Sequence, residues 1–176
     1  MDFSDIIINR QSCRKYDPSR RVEDSKLEKI LLAARLSPSA CNSQPYFITV
    51  CKGEKAKAVA AETQKMGRNG FTADADVMLV LSENDYNERA GKAAAEMGND
   101  FRSLDIGILC AYITAAAAEE GLGSCILGLF DNDNIKKLCS ISGDVRLCIS
   151  IGYPASDDTL REKVRKPQDE LIKILD

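Results

Sequence analysis

The spacing of apolar residues along the 176-residue chain switches several times between a helical and an alternating period, and the switches mark its elements. A short opening helix is expected around Phe3 to Asn9. Val22, Leu27, Ile30, Leu31 and Ala34 then recur at near-helical spacing, with Asp24 or Ser25 available as N-cap. Pro38 stops that helix near Ser37. Tyr46 to Cys51 is a β-rich run, and Val77 to Leu81 is another between polar flanks. The alanine- and lysine-rich stretch from Glu54 to Gln64 reads as a surface helix between them.

From Tyr86 to Glu120 the pattern predicts one long helix or two in sequence, polar at first and almost wholly small and apolar from Ile106 to Ala118. A helix that is apolar all round must be buried on most sides. In so small a chain a second subunit is the easiest source of the missing cover. Ser124 to Leu127 and Val145 to Ile151 read as two further strands, a short helix near Asn134 to Cys139 separates them, and a helix at Gln168 to Leu175 closes the chain. With no repeat, low-complexity tract or linker, residues 1–176 are expected to form one domain.

The balance of 24 basic and 27 acidic residues gives a formal charge of −3, so no global field attracts nucleic acid or an anionic membrane. An anion would have to be held by a local cluster. Met1 to Arg10 carries two acids and only a short apolar run, unlike a signal peptide. The Ile106 to Ala118 run is shorter than the roughly 20 residues of a spanning helix. The seven cysteines are odd in number and singly spread, as free thiols of a cytoplasmic protein would be. There is no histidine and no C-x-x-C pair, so histidine zinc sites and iron–sulfur spacings lack ligands and no metal site is expected. Ser-His-Asp and Cys-His catalysis are excluded for the same reason. A cofactor that brings its own reactivity gains weight accordingly.

Four segments are candidates for holding such a group. Arg10, Gln11, Ser12, Cys13 and Arg14 place two guanidinium forks and a hydroxyl within five residues, a donor set suited to phosphate oxygens. The Ser37 to Pro45 stretch, Ser-Pro-Ser-Ala-Cys-Asn-Ser-Gln-Pro, is a proline-stiffened polar loop, readable either as a ligand clamp or as a helix stop with capping residues. Gly121, Gly123 and Gly128 surround Ser124 to Leu127 and allow close backbone approach, without the strand-before-helix context of a dinucleotide fingerprint. Arg161, Lys163, Arg165 and Lys166 form a second basic group, either a solvated segment or a partner for Arg10 and Arg14 around one phosphate.

These four segments, in this order, resemble the nitroreductase family of FMN enzymes over most of the chain, from near Phe3 to about Arg165. The resemblance implies an α+β fold, a mainly antiparallel sheet flanked by helices, in an interlocked homodimer with FMN at the subunit interface. It implies that Arg10, Gln11, Ser12, Lys163 and Arg165 bind the FMN phosphate and nearby ribityl oxygens, and that Arg14 lies near the pyrimidine side of the ring. Pro38, Ser39, Ala40 and Asn42 would contact the ring and ribityl chain from the partner subunit, with Gln44 supporting the loop. The backbone of Ile126, Leu127 and Gly128 would lie against the isoalloxazine. Tyr46 departs from the pattern, standing where many relatives carry tryptophan.

The implied reaction is ping-pong transfer of reducing equivalents from NAD(P)H, through flavin N5, to a small organic acceptor: a nitroaromatic, a quinone, a flavin or an activated alkene. No side chain acts as catalytic acid or base. Within the same resemblance stands an oxygen-dependent or dehalogenating specialist, and a rival from another class is a non-enzymatic FMN-binding or redox-sensing module. In the sensor reading Cys13 and Cys41 are thiol switches, with the arginines beside Cys13 lowering its pKa. Small buried residues are the plainer reading of both.

Overall fold

The computed structural model describes residues 2–65 and 67–175. Its centre is a four-stranded antiparallel sheet of β1 (Tyr46–Lys52), β2 (Val77–Glu83), β3 (Gly123–Leu127) and β4 (Val145–Gly152), in the order β1-β2-β4-β3. β2 is buried along its first six residues because both faces of the sheet are covered. Val77, Leu79 and Leu81 point to one cluster, and the alternate Met78 and Val80 to the other. The first cluster is closed by α2 (Asp24–Arg35) and α5 (Phe101–Glu119), through Leu27, Ile30, Leu109 and Ile113. The second is closed by α3 (Gly53–Gln64) and α6 (Asn132–Cys139), through Ala56, Val59 and Ile135. The α+β expectation and the four strands therefore hold.

α1 (Phe3–Asn9) lies along α5, and α4 (Glu88–Met97) precedes it. The stretch from Tyr86 to Glu120 is thus two helices, parted at Gly98, whose φ of 60° ends α4 in the left-handed conformation. α5 is not buried all round. Ile106, Leu109, Cys110, Ile113 and Ala117 face the core, while Leu104, Ile108 and Tyr112 remain 54%, 38% and 41% exposed. Phe3 and Ile7 of α1, which border Gly107, Ala111 and Ala115 of α5, are exposed as well. Among the described residues α5 is the one helix long and apolar enough to cross a membrane, but its inner side is the centre of the first cluster.

Two expectations need correction. α2 begins after Glu23, not after Asp24 or Ser25, and has no side-chain cap. The Glu23 carboxylate instead accepts the Tyr153 hydroxyl at 2.7 and 2.9 Å. The tail forms a single helical turn at Gln168–Glu170 rather than a helix to Leu175. Leu171, Ile172, Ile174 and Leu175 are all more than half exposed, and a short helix with no surface to pack on is marginal in water.

Candidate functional site

The residues after α1 form an extended arm that crosses the ends of β3 and β4. Ser12 pairs with Ser124 and Tyr16 with Pro154, and the Cys13 N–H donates to the Ser124 carbonyl at 2.9 Å. Extended backbone alternates its side chains, so Cys13, 1% exposed, enters the core while Ser12 and Arg14 face out. Tyr16 is buried too, and its hydroxyl meets the Ser150 hydroxyl at 2.8 Å and the Ser150 carbonyl at 3.1 Å. The arm can lie this close because the sheet offers paired glycines beneath it. A Cβ on Gly123 would stand 2.6 Å from Cys13 Sγ, and one on Gly152 2.9 Å from the Tyr16 ring.

A strap after β4 comes back across the arm and is tied to it by hydrogen bonds, starting with the Ala155 N–H to the Lys15 carbonyl at 3.0 Å. Gln11 uses both ends of its amide, donating to the Thr159 carbonyl at 3.2 Å and accepting the Arg161 N–H at 3.0 Å. The Arg161 guanidinium donates to the Ser12 carbonyl and, at 2.9 Å, to Asp158, while Lys163 Nζ donates to the Arg10 carbonyl at 2.6 Å. The result is one hollow of about 180 Å³ lined by Arg10, Gln11, Ser12 and Arg14 from the arm and by Arg161, Lys163 and Arg165 from the strap. Five cations share it with one carboxylate, Glu162. Partial desolvation and the positive charges of Arg10, Arg165 and Arg161 hold the Lys163 ammonium below its ordinary pKa. Such crowding is relieved by a bound anion.

β3 is an edge strand, paired with β4 on one side and with the arm only at Ser124 on the other. Because Ser124 turns its carbonyl to the arm, alternation along the strand turns the N–H and C=O of Ile126 to the same open side. Leu127 is buried and the same alternation turns its N–H and C=O toward β4, while Ile126 and Gly128 are exposed.

The Pro38 to Gln44 loop sits elsewhere, over the beginning of α5. Cys41, Asn42 and Gln44 have φ near 50°, a left-handed conformation that is uncommon for side-chain-bearing residues and must be held from outside. Asp105 of α5, 2% exposed, accepts the Ala40 N–H at 2.9 Å. Asn87 donates to the Cys41 carbonyl at 3.0 Å, and Ser39 Oγ accepts the Gln44 N–H at 3.0 Å. Gln44 braces the loop through Asn42. Among the described residues no hydrogen bond joins this loop to the arm or the strap of the same chain. Asn42 and Gln44 are therefore not brought to Arg10 and Arg165 within one chain.

The Nitroreductase family model matches residues 7–66 and 52–153. The chain belongs to the Nitroreductase family. Its structure superposes on the nitroreductase family protein of Streptococcus pneumoniae TIGR4 with a TM-score of 0.81, at 21% identity, covering 99% of this chain and 100% of that one. The FMN-dependent nitroreductase of Clostridium difficile R20291 gives 0.76 at 24% identity and 99% coverage of both chains. Over a shorter stretch, 33% of 82 residues are shared with the oxygen-insensitive NAD(P)H nitroreductase of Salmonella typhimurium, which is 47% of this chain and 36% of that protein.

In this nitroreductase-family chain three supporting residues were missed in sequence, one of them despite a signal. Asp105 is the one acid on the Ile106 face of an apolar helix, a visible anomaly; Asn87 and Asp158 look like ordinary loop polars. Of the two readings of Cys13 and Cys41, the buried one holds for Cys13 and fails for Cys41, which is exposed. Burial pushes the Cys13 thiol pKa up to about 12, and the Asp158 carboxylate adds to the rise, so it stays protonated at neutral pH.

Proposed function

We propose that this chain is an FMN-dependent oxidoreductase that moves reducing equivalents from NAD(P)H to a small organic acceptor in a ping-pong cycle, as a cytoplasmic homodimer. The observation that carries the reading is the convergence of Arg10, Ser12 and Arg14 with Lys163 and Arg165 on one hollow, from segments about 150 residues apart. That donor set fits the phosphate of FMN: three guanidinium forks, an ammonium and a hydroxyl, in excess over the one carboxylate. The open edge of β3 beside it offers the Ile126 N–H to a flat heterocycle. The FMN dependence in the name of the Clostridium difficile relative supports the same choice.

When bound, FMN supplies reversible hydride and electron chemistry at N5, which no side chain of this histidine-free sequence could replace. The chain's own part is to bind and orient. Arg10, Gln11, Ser12, Lys163 and Arg165 hold the phosphate end, and Arg14 places positive charge toward the ring. The backbone at Ile126, Leu127 and Gly128 lines the ring's other edge. Pro38, Ser39, Ala40, Asn42 and Gln44 close the site from the second subunit, which explains why one chain alone leaves them apart. The exposed stripe of Leu104, Ile108 and Tyr112 on α5 supplies an apolar surface for that pairing. The acceptor belongs to the group of nitroaromatics, quinones, free flavins and activated alkenes.

Arg10→Ala combined with Arg165→Ala tests the assignment. Two charge-assisted contacts at about 1.5 kcal/mol or more each predict at least a hundredfold weaker FMN binding, read as loss of the visible flavin spectrum during purification. A colourless parent protein that neither binds FMN nor oxidises NAD(P)H in its presence overturns the proposal.

A further inference from the structure

Five of the seven cysteines border the second core cluster, and two of these face each other across it. Cys51 Sγ, near the end of β1, lies 3.8 Å from Cys139 Sγ, the last residue of α6. We propose that Cys51 and Cys139 are an oxidisable dithiol, a site where peroxide forms an intrachain disulfide between the edge strand and α6. The site shares none of the arm or strap residues, so it stands apart from the flavin reading.

Geometry divides the roles of the two sulfurs. Cys139 is half-buried and lines a solvent-open cavity of about 250 Å³ with Phe47, Thr49, Ser140 and Ser142. Cys51 is 1% exposed, reached only through its partner. Hydrogen peroxide entering the cavity meets Cys139 first. The Cys139 sulfur takes one peroxide oxygen, the O–O bond breaks, and a sulfenic acid and one water result. The Cys51 sulfur, already in contact, then attacks the sulfenic sulfur. The S–S bond forms as the S–O bond breaks, and the hydroxyl leaves with the Cys51 proton as a second water. Two thiols lose two electrons in all, and one peroxide gains them. Contact between the sulfurs replaces a diffusional encounter, and reaching the disulfide length of about 2.05 Å takes a movement of roughly 1.8 Å shared by two side chains.

The surroundings limit the other outcomes. Burial pushes the Cys51 thiol pKa up to about 12, so it takes the resolving role, and the Lys55 ammonium, which donates to the Leu138 carbonyl at 2.7 Å, works against that rise from beside the pair. Cys41 is exposed but has no sulfur neighbour among the described residues, so it can be oxidised but has no partner in its own chain. Cys148 is buried beside the pair and provides the one competing intrachain link.

The test uses the purified full chain carrying Cys41→Ser, treated with hydrogen peroxide, alkylated and digested without reductant. The expected result is one cross-linked peptide pair containing Cys51 and Cys139, two hydrogens lighter than its reduced parts. A bond closing so long a loop also raises Tm, by roughly 5–15 °C, and dithiothreitol reverses both changes. Cys139→Ser and, separately, Cys51→Ala abolish the cross-link and the peroxide-induced Tm shift, each measured against the variant's own untreated Tm, which the buried Cys51→Ala lowers by the small cavity it leaves. A Cys139–Cys148 link, a sulfinic acid on Cys139 with Cys51 still free, or no loss of the Cys51 thiol under exposures that oxidise Cys41 of the parent chain each overturn the proposal.

Discussion

Gly123→Ala is a single methyl, yet it should lift the arm from the sheet and damage the anion hollow with it. The added Cβ would stand 2.6 Å from Cys13 Sγ and 2.7 Å from Cys13 Cβ, whereas comfortable carbon contacts begin near 3.5 Å. The arm must therefore retreat by roughly 0.8 Å, in a core where overpacking costs about 1–3 kcal/mol. For a chain of this length that lowers Tm by roughly 2–12 °C. The same retreat stretches the 2.9 Å bond from the Cys13 N–H to Ser124 and carries Arg10 and Ser12 away from Lys163 and Arg165. FMN affinity should fall at least tenfold, measured by quenching of flavin fluorescence. The rescue is graded. Cys13→Ala removes the sulfur but leaves the Cβ, so it restores little; Cys13→Gly removes both and should return most of the binding, with a coupling energy of about 1 kcal/mol or more in a double-mutant cycle. Unchanged Tm and affinity in Gly123→Ala, or equal rescue by the two Cys13 variants, would refute the close-contact reasoning.

Lys163 sets an alkaline limit to binding. Its ammonium is held below the ordinary 10.5 by desolvation and the neighbouring arginines, and a bound phosphate reverses that bias, so binding takes up a proton once the free side chain is neutral. Affinity should thus decline as pH rises through that lowered value, starting below pH 10.5, and Lys163→Arg should remove the decline in a titration series. Tyr16→Phe removes a buried hydroxyl and leaves the Ser150 side chain unpaired, which should cost about 1–3 kcal/mol in urea unfolding. Asp105→Ala frees the strained loop by removing the acceptor of the Ala40 N–H; faster proteolysis between Pro38 and Gln44 is expected, with Asp105→Asn close to the parent because its amide oxygen still accepts.

Much of this architecture could be read along the chain because its signals are local. The four strands and the helices Phe3–Asn9, Gly53–Gln64 and Asn132–Cys139 are each marked by their own period, and several of their ends by proline or glycine. The start of α2 was misplaced because Glu23 is engaged by Tyr153, a residue 130 positions away that no window includes. The closing helix failed for the converse reason: an apolar pattern at residues 171–175 says nothing about whether a surface exists to receive it. At the site, arginine and serine types announced an anion, but the Gln11 clasp and the Asp105 and Asn87 supports depend on tertiary contacts. Cys13 shows the limit of reading charge from neighbours in sequence. Its flanking arginines point outward while the thiol points in, so burial and not charge decides its chemistry.

The strap itself has little regular structure to keep it in place. Residues 158–166 belong to no helix or strand, and hydrogen bonds to the arm, two through the Gln11 amide and two from the strap's own Arg161 and Lys163, supply most of their fastening. Any anion gripped by both segments therefore works as a reversible clasp between the two ends of the polypeptide, and at a hundred times its dissociation constant would add about 2.7 kcal/mol to the folded state. Amide exchange and tail digestion in this protein become gauges of ligand saturation, readable without following any reaction.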